Sequence, residues 1–141
     1  MTLEELLRKR RIREQTVNRS DVHALLEKAD SDLRTAEKIL SESVPWAYTI
    51  AYNAVLQASR AFIFSEGYRL EAKEAHKNTF LFLRAVLEQD VLDYVTFFDR
   101  VRVKRHQAVY DASADFSETE TRNLLSKAEE FIDHLRQRIG K

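Results

Sequence analysis

Apolar side chains recur at three- and four-residue steps along most of this chain. Between residues 20 and 40 one face is apolar and the other is charged, which predicts a long amphipathic helix starting at Ser20 and Asp21. Pro45 ends that segment, because proline has no N–H to donate and suits the first turn of a following helix. The apolar positions are Val22, Leu25, Leu26, Ala29, Leu33, Ala36, Ile39 and Leu40.

The next segment, from Trp46 to about Glu66, is apolar on most sides and predicts a central helix that ends at Gly67. Small residues form a stripe along it, which allows another helix to approach closely. We expect its aromatic residues Trp46, Tyr48 and Tyr52 to belong to the core. The small residues are Ala47, Ala51, Ala54, Ala58 and Ala61.

Three more helices are predicted after Gly67, from about residue 70 to 88, from 91 to 112, and from the capping box of Ser117 and Glu120 to Gly140. Short connections between amphipathic helices imply antiparallel neighbours. The fold class is therefore predicted as all-α, an up-down antiparallel bundle of five or six helices.

Residues 1–19 differ from the rest of the chain in charge. They contain six basic residues and three acidic ones, whereas residues 20–141 carry the helical pattern of the bundle. We interpret residues 1–19 as a basic N-terminal helical arm. Such an arm could contact nucleic acid or a partner, or it could be a solvated terminal helix.

Composition limits the class of protein more than its function. A chain of 141 residues fits one domain, and two Gly and one Pro supply too few turns for a many-stranded sheet. The absence of Cys and of a long apolar run favours a cytoplasmic protein with no membrane contact. The 23 basic and 23 acidic residues cancel, which argues against a protein that coats nucleic acid.

Several kinds of site are excluded by spacing. The four His residues lie on different predicted helices, and none forms a metal-ligand pair with a second His or a Glu. With only two glycines there is no phosphate-binding loop, and no nucleophile elbow is present. We therefore expect neither a metal nor another cofactor.

The segment from residue 99 to 111 carries the most chemistry. Four cations and one His fall between Arg100 and His106, and Tyr110 follows. On a helix Arg102 and His106 share a face, with Arg105 about 100° away. Such a group could hold a phosphate, and metal-independent RNA cleavage needs a proton carrier and cations of this kind. Weak surface ion pairs are the alternative interpretation.

Four sequence blocks in a fixed order resemble the HEPN superfamily of small helical domains. They are Ala51-Tyr-Asn-Ala-Val-Leu-Gln-Ala-Ser-Arg-Ala61, Glu66-Gly-Tyr68, Ala75-His-Lys77 and Arg105-x-x-Ala-Val-Tyr-Asp111. The resemblance covers the chain from about Asp21 to Ile139. It implies a helical bundle that is commonly a homodimer. Many members are metal-independent endoribonucleases, often toxins paired with a nucleotidyltransferase-type antitoxin, and others are non-catalytic modules that bind RNA or protein.

In active members of the superfamily an Arg is followed by a polar residue and, four to six positions after the Arg, by a His. Arg100 and His106 give the best formal match, although Val101 stands where a polar residue is usual. If Tyr110 sets the register instead, Arg105 becomes the motif arginine and the His position falls near Ala108, which makes the motif degenerate. The candidate catalytic residues are Arg100, Arg102, Arg105, His106 and Tyr110, with Arg60 as a weaker candidate at their border.

Two function classes follow. The first is an RNA-acting protein, a toxin-type endoribonuclease or its RNA-binding descendant, in which the Arg residues hold phosphate, His106 transfers a proton and Tyr110 orients. The second is a non-catalytic module that binds a protein partner such as a nucleotidyltransferase. A cleft shared by the His and the clustered Arg residues favours the nuclease. A surplus of large apolar residues supports the expected homodimer, namely Phe80, Phe82, Phe97 and Phe98.

Overall fold

Six α-helices and one two-stranded sheet form the described part of the chain, which confirms the expected all-α bundle. The computed structural model describes residues 1–110 and 115–140, and for residues 108–110 it describes the backbone only. The elements are α1 (Leu3–Arg8), β1 (Ile12–Glu14), α2 (Arg19–Ile39), α3 (Val44–Ser65), β2 (Tyr68–Leu70), α4 (Ala75–Val86), a 3-10 turn (Gln89–Val91), α5 (Leu92–Tyr110) and α6 (Glu118–Ile139).

Helices α2 and α3 form an antiparallel pair around the predicted break. Asn18 caps α2 through its side chain, two residues before the predicted start. Ser43 caps α3 by accepting a hydrogen bond from the Trp46 N–H at 3.3 Å, and Pro45 occupies its first turn. The small-residue stripe of α3 has no exposed surface, which lets α2 and α6 pack closely against this central helix.

The bundle buries its large aromatic residues within one chain. Phe80, Phe82 and Phe98 are at most 2% exposed, and Phe97 is half-buried against the core. Phe98 lies between Phe97 and Phe131, with ring centroids 5.3 and 5.2 Å away. The supposed surplus of aromatic residues therefore gives no support to a dimer, because the helices of a single chain cover them.

Trp46 is a clear departure from the sequence interpretation. It is 62% exposed, whereas Tyr48 and Tyr52 are buried as expected. Trp46 lies in the first turn of α3. The expectation that it belongs to the core is wrong, since periodicity identifies the apolar side of a helix but not how far its neighbours extend along it.

The first 19 residues contain less helix than the sequence indicated. Only α1 is helical, and β1 pairs antiparallel with β2, with Ile12 opposite Leu70. Leu6 and Ile12 are buried. The same pairing shortens the fourth helix, which begins at Ala75 because the chain is in strand β2 up to Leu70. The division between an arm and a bundle remains a prediction.

The start of α6 follows the predicted capping box. The Ser117 hydroxyl accepts from the Glu120 N–H at 3.0 Å, and the Glu120 carboxylate accepts from the Ser117 N–H at 2.8 Å. The other Glu120 oxygen accepts from Lys104 of α5 at 2.6 Å. Burial alone would raise the pKa of Glu120, but the hydrogen bonds from Lys104 and the Ser117 backbone lower it overall.

Replacing Ser117 by Ala should lower the free energy of unfolding by about 1 kcal/mol, because it leaves a helical N–H without its acceptor. Urea unfolding followed by circular dichroism measures this loss. Ser126→Ala is the matched control, since Ser126 is exposed within the same helix. Equal stability of the Ser117 and Ser126 variants would contradict the capping role.

Within the described residues, no helix combines the length and the apolarity that crossing a membrane requires.

Candidate functional site

A cleft between the start of α4 and one face of α5 brings together three of the candidate residues of the basic segment. Arg102, Arg105 and His106 line it from α5, because positions three and four apart share a helical face. His76 and Lys77 line it from α4, together with Glu74. The cleft has a volume of about 530 Å³. Arg102, Arg105 and His106 therefore share a cleft, the arrangement that favours the nuclease hypothesis.

The first turn of α4 contributes backbone polarity to this cleft. Glu74 holds the N-cap position with a left-handed backbone, at φ 58°. Its carboxylate faces Arg11 and Lys77, at 3.7 and 3.8 Å. Arg11 also donates to the Asn78 side chain at 3.0 Å, so the N-terminal segment fixes this turn. The positive end of the α4 dipole adds to the attraction for an anion.

The buried Tyr52 of α3 contacts the side chain of His76. The Tyr52 hydroxyl lies 3.3 Å from Nδ1 of His76. The Tyr52 ring stacks on Phe80, with centroids 6.5 Å apart. The guanidinium of Arg105 lies over that same ring, 5.5 Å from its centroid. Tyr52 is 1% exposed, so it forms a fixed support under both His76 and Arg105.

Burial and the positive charges of the cleft shift the pKa values of His76 and Tyr52. The pKa of His76 is lowered by burial first, and then by the positive charges of Arg105 and Arg102. The pKa of Tyr52 is raised well above its usual value because burial outweighs those same charges. At neutral pH His76 is therefore mainly uncharged, and Tyr52 keeps its proton.

Arg102 is oriented by an acid on its own helix. Its Nε–H donates to Asp99 at 2.8 Å, and Arg84 of α4 lies 4.0 Å from the other Asp99 oxygen. Arg105 is held differently. Its Nε is buried with no hydrogen-bond acceptor among the described residues, and its guanidinium lies over the Tyr52 ring instead. Both guanidinium groups are thus fixed in direction at the cleft, one by a carboxylate and one by an aromatic ring.

The remaining candidates lie elsewhere. Arg100 is exposed and is not among the described residues that line the cleft. The side chain of Tyr110, and all of Asp111, lie outside the described residues. Arg60 lies over Phe64, 5.7 Å from the ring centroid, and lines a neighbouring cleft rather than meeting Asp99.

That neighbouring cleft runs between α3, β2 and the start of α4 and has a volume of about 420 Å³. Its walls include the apolar side chains of Leu56 and Phe64 and the guanidinium groups of Arg60 and Arg69. Among the described residues, three line both clefts, and one of these three is polar. They are Ala72, Ala75 and His76.

The candidate residues taken from the sequence omit two residues of this site. Tyr52 was assigned to the core, and His76 was named only in the Ala75-His-Lys77 block of the resemblance. They are 24 positions apart in the chain, and Arg105 follows 29 positions after His76. No local spacing connects residues that far apart, and the His-Lys block of the superfamily resemblance was the one signal that pointed to His76.

Metal ligands do not assemble in the part of the chain that the structure describes. Among residues 1–110 and 115–140, no three His, Asp or Glu side chains are grouped closely enough to hold an ion.

The comparison with known protein families agrees with the resemblance. No curated protein gives a significant match. Residues 22–138 match the HEPN domain family, whose members are often ribonucleases or nucleotide-binding modules. This range runs from Val22 in α2 to Arg138 in α6 and includes both walls of the cleft. The chain therefore belongs to the HEPN domain family.

Proposed function

We propose that this protein is a metal-independent endoribonuclease that cleaves single-stranded RNA in the cleft between α4 and α5. The observation that carries the proposal is the position of Arg102, Arg105 and His106 along one wall of that cleft. A phosphate placed there would meet two oriented guanidinium groups and an imidazole.

The reaction class follows from the groups present. Attack of the ribose 2′-hydroxyl on the adjacent phosphate needs proton transfer and stabilisation of a pentacovalent phosphorane. His106 exchanges a proton with the reacting ribose oxygens. Arg102 and Arg105 stabilise the charge on the phosphate, because a guanidinium presents a planar fork of donors. Tyr110 is assigned a role in orientation on the sequence motif alone.

Substrate attraction is local, because the whole chain has no net charge. Lys77, Arg102 and Arg105 supply three positive charges to the cleft, and Glu74 supplies one negative charge. Binding that depends on a few phosphate contacts weakens as salt is added. A moderate salt dependence is therefore part of the proposal.

The biological setting is proposed on the family. HEPN domains often dimerise, and a homodimer would bring two such clefts together. A cytoplasmic toxin held by a nucleotidyltransferase-type antitoxin is the setting that accords with a small ribonuclease of this class.

A non-catalytic module that binds a nucleotidyltransferase-type partner is the second candidate. The observation that favours it is the exposure of Trp46, which is 62%. Tryptophan is enriched at the centres of protein interfaces, where its large surface is buried on binding. In this case the cleft would hold phosphate or a partner side chain without cleaving RNA.

The experiment is cleavage of a fluorescent single-stranded RNA in EDTA by the wild type and by His106→Ala. We expect the wild type to leave 2′,3′-cyclic phosphate ends, and the variant to be at least about 100-fold slower, because general acid–base catalysis contributes a factor of this size. His23→Ala is the matched control, since His23 is an exposed residue of α2 that pairs with Glu27 at 3.1 Å.

Cleavage that disappears in EDTA, or that is equal in the wild type and His106→Ala, would contradict the proposal. A folded wild type that binds RNA without cleaving it would favour the second candidate instead.

A further inference from the structure

We propose that His76 is a second catalytic residue, which takes the proton from the attacking 2′-hydroxyl while His106 of the same protomer protonates the leaving 5′-oxygen. This inference rests on the proposed ribonuclease function and deepens it. Both proton-transfer groups then line the cleft between α4 and α5.

The position of His76 is the first argument. Of the three described residues that line both clefts it is the polar one, so it lies where the two clefts meet. An RNA strand that occupies both must pass over it. The cationic cleft would then hold the phosphate, and the neighbouring cleft, with Leu56 and Phe64 in its walls, would receive the adjacent nucleotide.

The support from Tyr52 is the second argument. Its hydroxyl engages Nδ1 of His76 at 3.3 Å, which leaves Nε2 as the nitrogen for a substrate. In the reactive tautomer Nδ1–H donates to the phenol oxygen and Nε2 carries the lone pair. Tyr52 is buried beneath Arg105 and beside Phe80. It is therefore a positioning residue that fixes the imidazole before substrate arrives.

The charges around His76 agree with the role of a base. Arg102, Arg105 and His106 face it from α5, Tyr52 faces it from α3, and Glu74 and Lys77 are neighbours at the start of its own helix. Burial and the two guanidinium groups lower its pKa. The lowered pKa keeps the His76 imidazole neutral to a more acidic pH than an ordinary histidine, whose pKa is near 6.5.

The proposed step balances in bonds and protons. The 2′-hydroxyl proton moves to Nε2 of His76 as the bond from the 2′-oxygen to phosphorus forms. The bond from phosphorus to the 5′-oxygen breaks, and the imidazolium of His106 gives its proton to that oxygen. The products are a 2′,3′-cyclic phosphate and a 5′-hydroxyl. Exchange with water then returns a proton to His106 and removes one from His76.

The test compares His76→Gln and His106→Ala on two single-stranded RNA substrates in EDTA. One substrate is natural, and the other carries sulfur in place of the 5′-oxygen at a single site. A thiolate leaves without protonation, because thiols are far more acidic than alcohols. We expect both variants to lose about 100-fold or more on the natural substrate. On the sulfur substrate His106→Ala should recover to within about 10-fold of the wild type, whereas His76→Gln should stay impaired.

Two further measurements separate catalysis from structure. Tyr52→Phe keeps the ring under Arg105 and should lower kcat more than it changes KM. The acidic limb of the wild-type profile of kcat/KM against pH should lie below pH 6.5, the ordinary pKa of histidine, and should be absent in His76→Gln. His23→Gln is the matched control, which should match the wild type on both substrates.

Wild-type activity with an unimpaired His76→Gln would overturn this inference and leave the ribonuclease proposal intact. Recovery of His76→Gln, rather than His106→Ala, on the sulfur substrate would also overturn the assignment, because it would make His76 the acid. A wild type that cleaves neither substrate would overturn both proposals together.

Discussion

Replacing Arg102 and Arg105 together by Met should slow RNA cleavage by about 10⁴-fold, since each donor that stabilises an oxyanion is worth roughly 10²–10³. The two guanidinium groups line the cleft and are oriented by Asp99 and by the Tyr52 ring. Methionine retains much of the side-chain volume while removing the charge and the fork of donors. Single-turnover cleavage of a fluorescent RNA measures the loss.

Two control variants sharpen this test. The double replacement Arg102→Lys and Arg105→Lys keeps the charges and should lose less activity, because a point charge can still attract phosphate but cannot present a fork of donors. Arg100→Met removes an exposed cation of the same helix that lies outside the residues described as lining the cleft, and should stay within about threefold of the wild type. An equal loss for Arg100→Met would place the reaction on another face of α5.

Replacing Phe98 by Ala should lower the free energy of unfolding by about 3–5 kcal/mol, because it opens a cavity in the aromatic cluster of the core. Phe98 has no exposed surface, and its ring lies 5.2 Å from Phe131 and 6.5 Å from Tyr94, centroid to centroid. The melting temperature should fall by roughly 10–15 °C for a chain of this size. Thermal unfolding followed by circular dichroism at 222 nm measures it.

Phe97→Ala is the paired control for this experiment. Phe97 is only half-buried, and Lys127 lies 5.3 Å from its ring centroid. Phe97→Ala should lower the free energy of unfolding by less than half as much as Phe98→Ala, since less apolar surface returns to water. A greater loss at Phe97 would mean that its outer side is covered in solution, as in a dimer.

Local signals predicted most of the fold. Pro45 predicted the start of α3, and Ser117 with Glu120 predicted the start of α6, because such signals act within a few residues. The two strands were missed because their pairing joins residues that are far apart in the chain. Ile12 pairs with Leu70, 58 residues away, and a three-residue strand has too few positions to show an alternating pattern.

The sequence likewise predicted some residues of the candidate site and missed others. The helical repeat placed Arg102 and His106 on one side of α5, with Arg105 about 100° away, and the structure shows that all three line one cleft. The repeat could not show that His76 stands opposite them, or that Tyr52 supports His76 and Arg105 from a third helix. Arg100 shows the reverse case, in which a residue of the same basic run is turned away from the cleft by the rotation of the helix.

The sequence by itself determined the class of fold, the order of the long helices and the position of the basic run with His106 on α5. These properties depend on periodicity and on capping, which act over a few residues. Only the tertiary structure decided which side chains meet across helices, how Arg11 of the N-terminal segment contacts the first turn of α4, and that Trp46 is exposed. Contacts of this kind depend on how separate elements pack, and the packing is set by the whole core rather than by any local pattern.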